Sequence, residues 1–160
     1  MVDQPWVAFA RKLVGTTEVH GPKHNPEILQ MWRDIKRGGI NDDETPWCAA
    51  FVGAMLERAG IRSSRFESAR SYLDWGQRLA LPVPGCIVVF TRQGGGHVGF
   101  AVGRDTAGNL LILGGNQSDA VNIKAFPVSR VAGYRWPAGE PVVAESLAVM
   151  RGLQLSESEA

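Results

Sequence analysis

An α+β fold, with helices in the first half and an antiparallel sheet in the second, follows from three features of the chain. Up to about Leu79 the apolar residues recur at helical spacing. From Pro82 onward they fall in short runs bounded by glycine and proline. The strand–helix alternation that builds a parallel sheet does not occur. At 160 residues, 44% hydrophobic and 21% charged, the sequence suits one compact domain.

Trp6, Phe9, Ala10 and Leu13 occupy i, i+3, i+4 and i+7 of a first amphipathic helix that stops near Gly15. Asn25 followed by Pro26 is an N-cap with proline at the first helical position, and Ile28, Leu29 and Trp32 supply the apolar face of a second helix. A third runs from Pro46 through Phe51, Val52, Met55 and Leu56 to Gly60, placed as its C′ glycine. The stretch from Ser68 to Leu79 predicts a fourth, shorter one. Strands follow at Ile87–Phe90, His97–Val102, Leu110–Leu113, Val121–Phe126 and Val131–Trp136, a sheet of about five. The residues divide into a domain over 1–137 and a C-terminal tail over 138–160, partly helical or disordered, with an acidic Ser-Glu-Ser-Glu end.

A formal net charge of +1 gives no bulk field toward nucleic acid or an anionic membrane, and neither is expected as a partner. No apolar run reaches the ~20 residues needed to span a bilayer. The opening Met1-Val2-Asp3-Gln4-Pro5-Trp6 lacks the basic and apolar regions of a Sec signal, so synthesis in the cytoplasm is expected. Two cysteines, Cys48 and Cys86, build neither a disulfide framework nor a four-thiolate metal site; a Cys48–Cys86 disulfide is the minor alternative.

Chemistry concentrates at a few residues. Thr45-Pro46-Trp47-Cys48 reads as N-cap, N1, N2 and N3, which puts Cys48 in a helix's first turn, where the dipole favours an anion and a thiol turns nucleophilic. Asp42, Asp43 and Glu44 oppose this by like-charge repulsion, so a base must share the activation. The bland alternative is an inert core cysteine. His20 and His24 are separated by Gly21-Pro22, which breaks any shared helix face, so they read as a solvated loop and not a metal pair. His97 follows three glycines and opens a strand whose same-face neighbours, Gly99 and Ala101, are small enough to leave room for a packed helix. The run Leu113-Gly114-Gly115-Asn116-Gln117-Ser118-Asp119 returns toward His97 if its strand pairs with the histidine strand. Asn116 could then accept from the imidazole, with Asp119 as the competing orienter and Gln117 as a donor to an oxyanion. Asn116 could equally be a turn-forming asparagine after two glycines.

Together, Pro-Trp-Cys-Ala-Ala-Phe-Val (46–52), Pro-Gly-Cys-Ile-Val-Val-Phe (84–90), Gly-His-Val-Gly-Phe (96–100) and Leu-Gly-Gly-Asn-Gln-Ser-Asp-Ala-Val (113–121) resemble the papain-like CHAP and NlpC/P60 cysteine hydrolases, in particular a small bacterial and phage group. The similarity covers roughly Trp6 to Pro137. It implies the papain-like fold, with the nucleophile at Cys48, the base at His97 and a third polar residue placed at Asn116. It also implies cleavage of an amide bond in peptidoglycan, as an N-acetylmuramoyl-L-alanine amidase or a stem-peptide endopeptidase, through an acyl-enzyme. Two departures stand out. The family's Pro-Gly-Asp has Cys86 in place of aspartate, and Gly-Gly-Asn occupies a region where CHAP enzymes often carry glutamate.

Trp47, beside the nucleophile, either lines the substrate groove or packs beneath the helix; with Gln117 and Asp119 it completes the substrate-side candidates. The chemistry calls for no metal or cofactor. Alternative readings are a cysteine-dependent acyltransferase or deamidase acting on a protein, and a non-catalytic peptide-binding module. The expected partner is a peptidoglycan peptide stem, with an immunity or inhibitor protein if the chain is a secreted effector, and the expected state is a monomer. Action in the periplasm or cell wall would follow release as a phage endolysin or injection by a secretion machine.

Overall fold

The computed structural model describes residues 3–20, 23–92 and 95–150. Three α-helices come first: α1 (Pro5–Lys12), α2 (Pro26–Asp34) and α3 (Cys48–Arg58). A six-stranded antiparallel sheet follows: β1 (Gln77–Leu79), β2 (Ile87–Arg92), β3 (Gly95–Arg104), β4 (Leu110–Gly114), β5 (Asn122–Phe126) and β6 (Val131–Trp136), in the order β1-β6-β2-β3-β4-β5. The α+β class holds, with one strand more than expected. Among the described residues no helix is long and apolar enough to cross a membrane.

Helix α3 is the centre of the core. Every residue from Cys48 to Leu56 is buried, as its nearly continuous apolar run requires: a helix without a polar face has to be covered all round. Gly53 lets α2 come close, since a Cβ there would stand 2.6 Å from Ile35 Cγ2. On the sheet side the Phe51 ring meets Phe100 of β3 edge to face, centroids 6.2 Å apart. Asn25 caps α2 as its sequence predicts, accepting from Glu27 N–H at 2.9 Å. Helix α1 is fastened to the turn that precedes β2, where Trp6 Nε1 donates to Gly85 O at 2.9 Å and Gln4 Nε2 to Pro84 O at 2.9 Å.

Two expectations are corrected. The segment 68–79 is not one helix: a 3-10 turn over Ala69–Asp74 gives way to β1, whose Arg78 pairs with Arg135 of β6. The described part of the tail, 138–150, contains no helix. It is extended at its end, where Arg104 N–H donates to Ala148 O (3.0 Å) and Met150 N–H to Arg104 O (2.8 Å), with Leu147 buried. The acidic end, within 151–160, lies outside the described residues.

Two features of the sheet position the site. His97 stands opposite Phe90 in the β2–β3 register. The segment 15–18 runs antiparallel beside 119–121, through Gly15 N–H to Val121 O (3.0 Å), Val121 N–H to Thr16 O (2.8 Å) and Glu18 N–H to Asp119 O (3.0 Å). The loop after β4 is therefore held on a second side by the chain leaving α1.

Candidate active site

Cys48 is the first residue of α3, two positions earlier in the helix than the sequence predicts. Thr45 does not cap the helix. Its N–H and hydroxyl both go to Asp42 (2.7 Å to Oδ1, 3.1 Å to Oδ2), and Trp47 takes the N-cap position with φ −115° and ψ 20°. The sulfur thus belongs to the residue nearest the positive end of the helix dipole, which favours an anion there.

The acidic residues upstream act elsewhere. Asp42 also accepts from Glu44 N–H, and its carboxyl is held below its ordinary value, chiefly by the Thr45 N–H. Asp43 is wholly buried and accepts from Val19 N–H (2.7 Å), Asn25 N–H (2.8 Å) and His24 Nδ1 (3.0 Å). Burial pushes its carboxyl up, but these three bonds outweigh it and the net shift is downward, while the same contact raises His24. His24 is thus tied to a buried carboxylate and not part of a solvated loop. Donor atoms of His24, Asp43 and Glu44 lie within 4.8 Å of one another, but both Asp43 oxygens already accept hydrogen bonds, so a cation there would have to displace them.

His97 is 5% exposed on β3, and its Nε2 lies 2.9 Å from Gln117 Oε1. The amide's orientation is fixed by what surrounds its nitrogen. Gln117 Nε2 faces three acceptors, Ile112 O (3.2 Å), Asn122 O (3.0 Å) and Asn122 Oδ1 (2.8 Å). Asn122 is fixed in turn because its Nδ2 donates to Gln117 O at 2.8 Å. The oxygen of Gln117 must therefore face the imidazole and accept from it, which assigns the proton to His97 Nε2 and leaves Nδ1 as the basic nitrogen of the neutral ring.

Two adjacent glycines join this imidazole to the helix. A Cβ on Gly114 would lie 2.3 Å from Gln117 Oε1 and 3.4 Å from His97 Nε2; one on Gly115 would lie 2.6 Å from Phe51 Cβ and 2.7 Å from Trp47 Cζ3. The opening turn of α3 and the His97 ring thus lie against consecutive residues of one strand exit. The loop beyond is tight: Asn116, Ser118 and Asp119 have φ of +56°, +56° and +59°, a conformation that L side chains seldom adopt.

The structure redistributes the remaining candidates. The oxygen bonded to His97 belongs to Gln117, whereas Asn116 is a left-handed turn residue. Gln117 is 3% exposed, and its NH2 group is turned to Ile112 and Asn122. Trp47 is completely buried, its ring against Gly115 and its Nε1 donating to Glu18 Oε1 at 2.8 Å, so it packs beneath the helix and lines no groove. Burial is the largest influence on the Glu18 carboxyl, which sits above its ordinary value. Asp119 is exposed beside it. Cys48 and Cys86 are not joined in a disulfide, which removes that alternative, and burial drives the Cys86 thiol up to about 12. Sequence reasoning missed Phe126 and Phe90, which stack near His97, with Phe126 at 5.1 Å and 10°. It also missed Asn122.

Comparison with known families matches residues 40–116 to the CHAP domain, a segment that includes Cys48 and His97. No curated protein matches the chain.

Proposed function

From the match of residues 40–116 to the CHAP domain, we propose that the protein is a cysteine hydrolase that cuts an amide bond in the peptide portion of peptidoglycan. The reading is carried by one observation: the Gln117 amide, locked by Asn122 and Ile112, leaves His97 with its basic lone pair on Nδ1. A base with a set tautomer, joined through a two-glycine step to the first turn of a helix that begins with cysteine, is the arrangement nucleophilic amide cleavage needs.

In the reaction His97 Nδ1 takes the Cys48 thiol proton, and the sulfur attacks the amide carbonyl carbon. The tetrahedral oxyanion is stabilised at the helix start, where first-turn N–H groups and the dipole face the sulfur. As the C–N bond breaks, His97 returns its proton to the leaving amine, and the acyl group stays on sulfur as a thioester. Water then gives a proton to Nδ1 and its oxygen to the carbonyl carbon. The C–S bond breaks, and the proton returns to sulfur. The imidazolium formed in each half-reaction keeps its Nε2–H on Gln117.

Incubation of purified sacculi with the protein, followed by mass spectrometry of the soluble fraction, tests the reading and distinguishes amidase from endopeptidase by the new termini. Release of muropeptides by the wild type and none by Cys48→Ala is expected. Sacculi left intact by active-site-competent protein, judged by stoichiometric alkylation of Cys48, would overturn it.

A further inference from the structure

A hydrogen bond at one ring nitrogen leaves the plane of an imidazole loosely defined. The χ2 torsion of histidine is broad, and the geometry accepted by a carbonyl-type oxygen is broad as well. Gln117 fixes the tautomer of His97. A flat ring stacked on the imidazole adds a constraint on its plane. Phe126, the last residue of β5, lies parallel to the imidazole with centroids 5.1 Å apart and an interplanar angle of 10°. Phe90, opposite His97 in the register, lies farther away and more tilted, at 6.3 Å and 30°.

Phe126 is itself clamped. Its ring stacks on Phe90 at 4.6 Å and 24°, the Arg130 guanidinium lies over it 5.5 Å from the centroid, and its backbone is paired with Leu110 of β4. A flat, immobile ring against an imidazole does two things. It resists rotation about χ2, and its electron-rich face favours a protonated ring over a neutral one.

We propose that Phe126 is a positioning residue for the reaction: its ring sets the plane of His97, and so the aim of Nδ1, and it stabilises the imidazolium that each half-reaction forms. The role rests on the hydrolase reading only for its catalytic consequence, because the stacking acts on His97 whatever the substrate. Among the described residues, Arg70 of the 3-10 turn lies against Gly96, the neighbour of His97, and Arg130 lies over Phe126. A substitution at Phe126 leaves both in the chain, so a change in His97 titration reports the ring.

The test is NMR of the His97 ring protons in the wild type, Phe126→Leu and Phe126→Tyr, with kinetics on soluble muropeptides. In the wild type the His97 protons should show an upfield ring-current displacement. Phe126→Leu should lose that displacement, lower the His97 titration midpoint by about half a unit, and reduce kcat several-fold with KM little changed. Phe126→Tyr should restore all three. An unchanged midpoint and kcat in Phe126→Leu overturns the proposal. So does a wild type without the ring-current displacement, a result that needs no variant to fold. Wild-type protein that leaves sacculi intact, with the displacement present and the midpoint lowered in Phe126→Leu, supports the positioning role and overturns the hydrolase reading. A fully active Phe126→Leu with an unshifted midpoint does the reverse.

Discussion

Gln117 Oε1 accepts from His97 Nε2 at 2.9 Å, while its neighbour Asn116 stands in a left-handed conformation at φ +56°. The two adjacent polar residues therefore have separable duties. Gln117→Ala removes the acceptor at Nε2 and frees the tautomer, so kcat should fall roughly a hundredfold or more. Asn116→Gly relieves a strained backbone and should leave kcat within a few-fold, with the melting temperature unchanged or raised. Steady-state kinetics on both variants decides the matter. Equal losses would return Asn116 to the reaction.

Cys48→Ala should abolish turnover and shift the melting temperature by only a few degrees, since the side chain loses a single atom. Cys86→Ala should retain activity within a few-fold, because a thiol driven up to about 12 by burial carries no thiolate at neutral pH. Native mass spectrometry after brief iodoacetamide treatment should find one label, on Cys48. A label on Cys86 in folded protein would contradict its sealed position.

The glycine step offers a structural test. Gly115→Ala drives a methyl into Phe51 and Trp47 at 2.6 and 2.7 Å, and should destabilise the fold by about 1–3 kcal/mol while loosening the seat of α3. Gly114→Ala meets Gln117 Oε1 at 2.3 Å and should cost activity more than stability. Urea titration set beside kinetics separates the two. A silent Gly114→Ala would mean that the Gln117 amide can shift without consequence.

Acid should weaken the fold through Glu57. Burial pushes this carboxyl up, but the Arg65 guanidinium, the Ser63 N–H and the Ser63 hydroxyl together hold it near 2, against an ordinary 4.5. A carboxylate lowered on folding stabilises above its unfolded value and loses that contribution as pH falls through the folded one. The stabilisation, on the order of 2–3 kcal/mol, should fade between about pH 4.5 and pH 2. Glu57→Gln should lower stability at pH 7 and flatten the acid limb of denaturant midpoints. A parallel acid limb in the variant would exclude Glu57 as its source.

The His24–Asp43 pair has a different window. His24 is raised, first by its bond to Asp43, so its contribution is complete below about 6.5 and is lost as pH rises through its folded value. Asp43 is lowered, so its contribution is present above 3.8 and is lost as pH falls through its own. His24→Gln should therefore lower the melting temperature most near pH 5 and least above pH 8. The opposite trend would show that the contact is not ionic.

Much of this architecture is legible along the chain, where local rules govern. Asn25-Pro26 starts α2 and Gly60, at φ +82°, follows the end of α3, because caps depend on a few adjacent residues. The same reasoning misplaces the start of α3: Asp42 captures the Thr45 hydroxyl that would otherwise cap it. Strand β1 is three residues long and has no periodicity of its own; it exists because β6 is there to pair with it. At the site, cysteine and histidine stand out by chemistry, but the choice between residues 116 and 117 turns on which is twisted into the left-handed region. The turn-forming habit of an asparagine after two glycines was the available signal. Phe126 gave none. It reaches His97 because the chain leaving β5 crosses back to set β6 beside β2, a long-range relationship with no trace in local sequence.

The Trp6 indole bonded to Gly85 O carries a practical lesson for anyone trimming the gene. An excised 40–116 fragment would keep the cysteine and the histidine and lose α1, α2, β5 and β6, and with them Trp6, Trp32, Phe126 and Trp136, all buried in the core. Such a fragment should be insoluble or molten. The recognisable signature is smaller than the unit that can stand by itself, and expression boundaries should be drawn around the tryptophans.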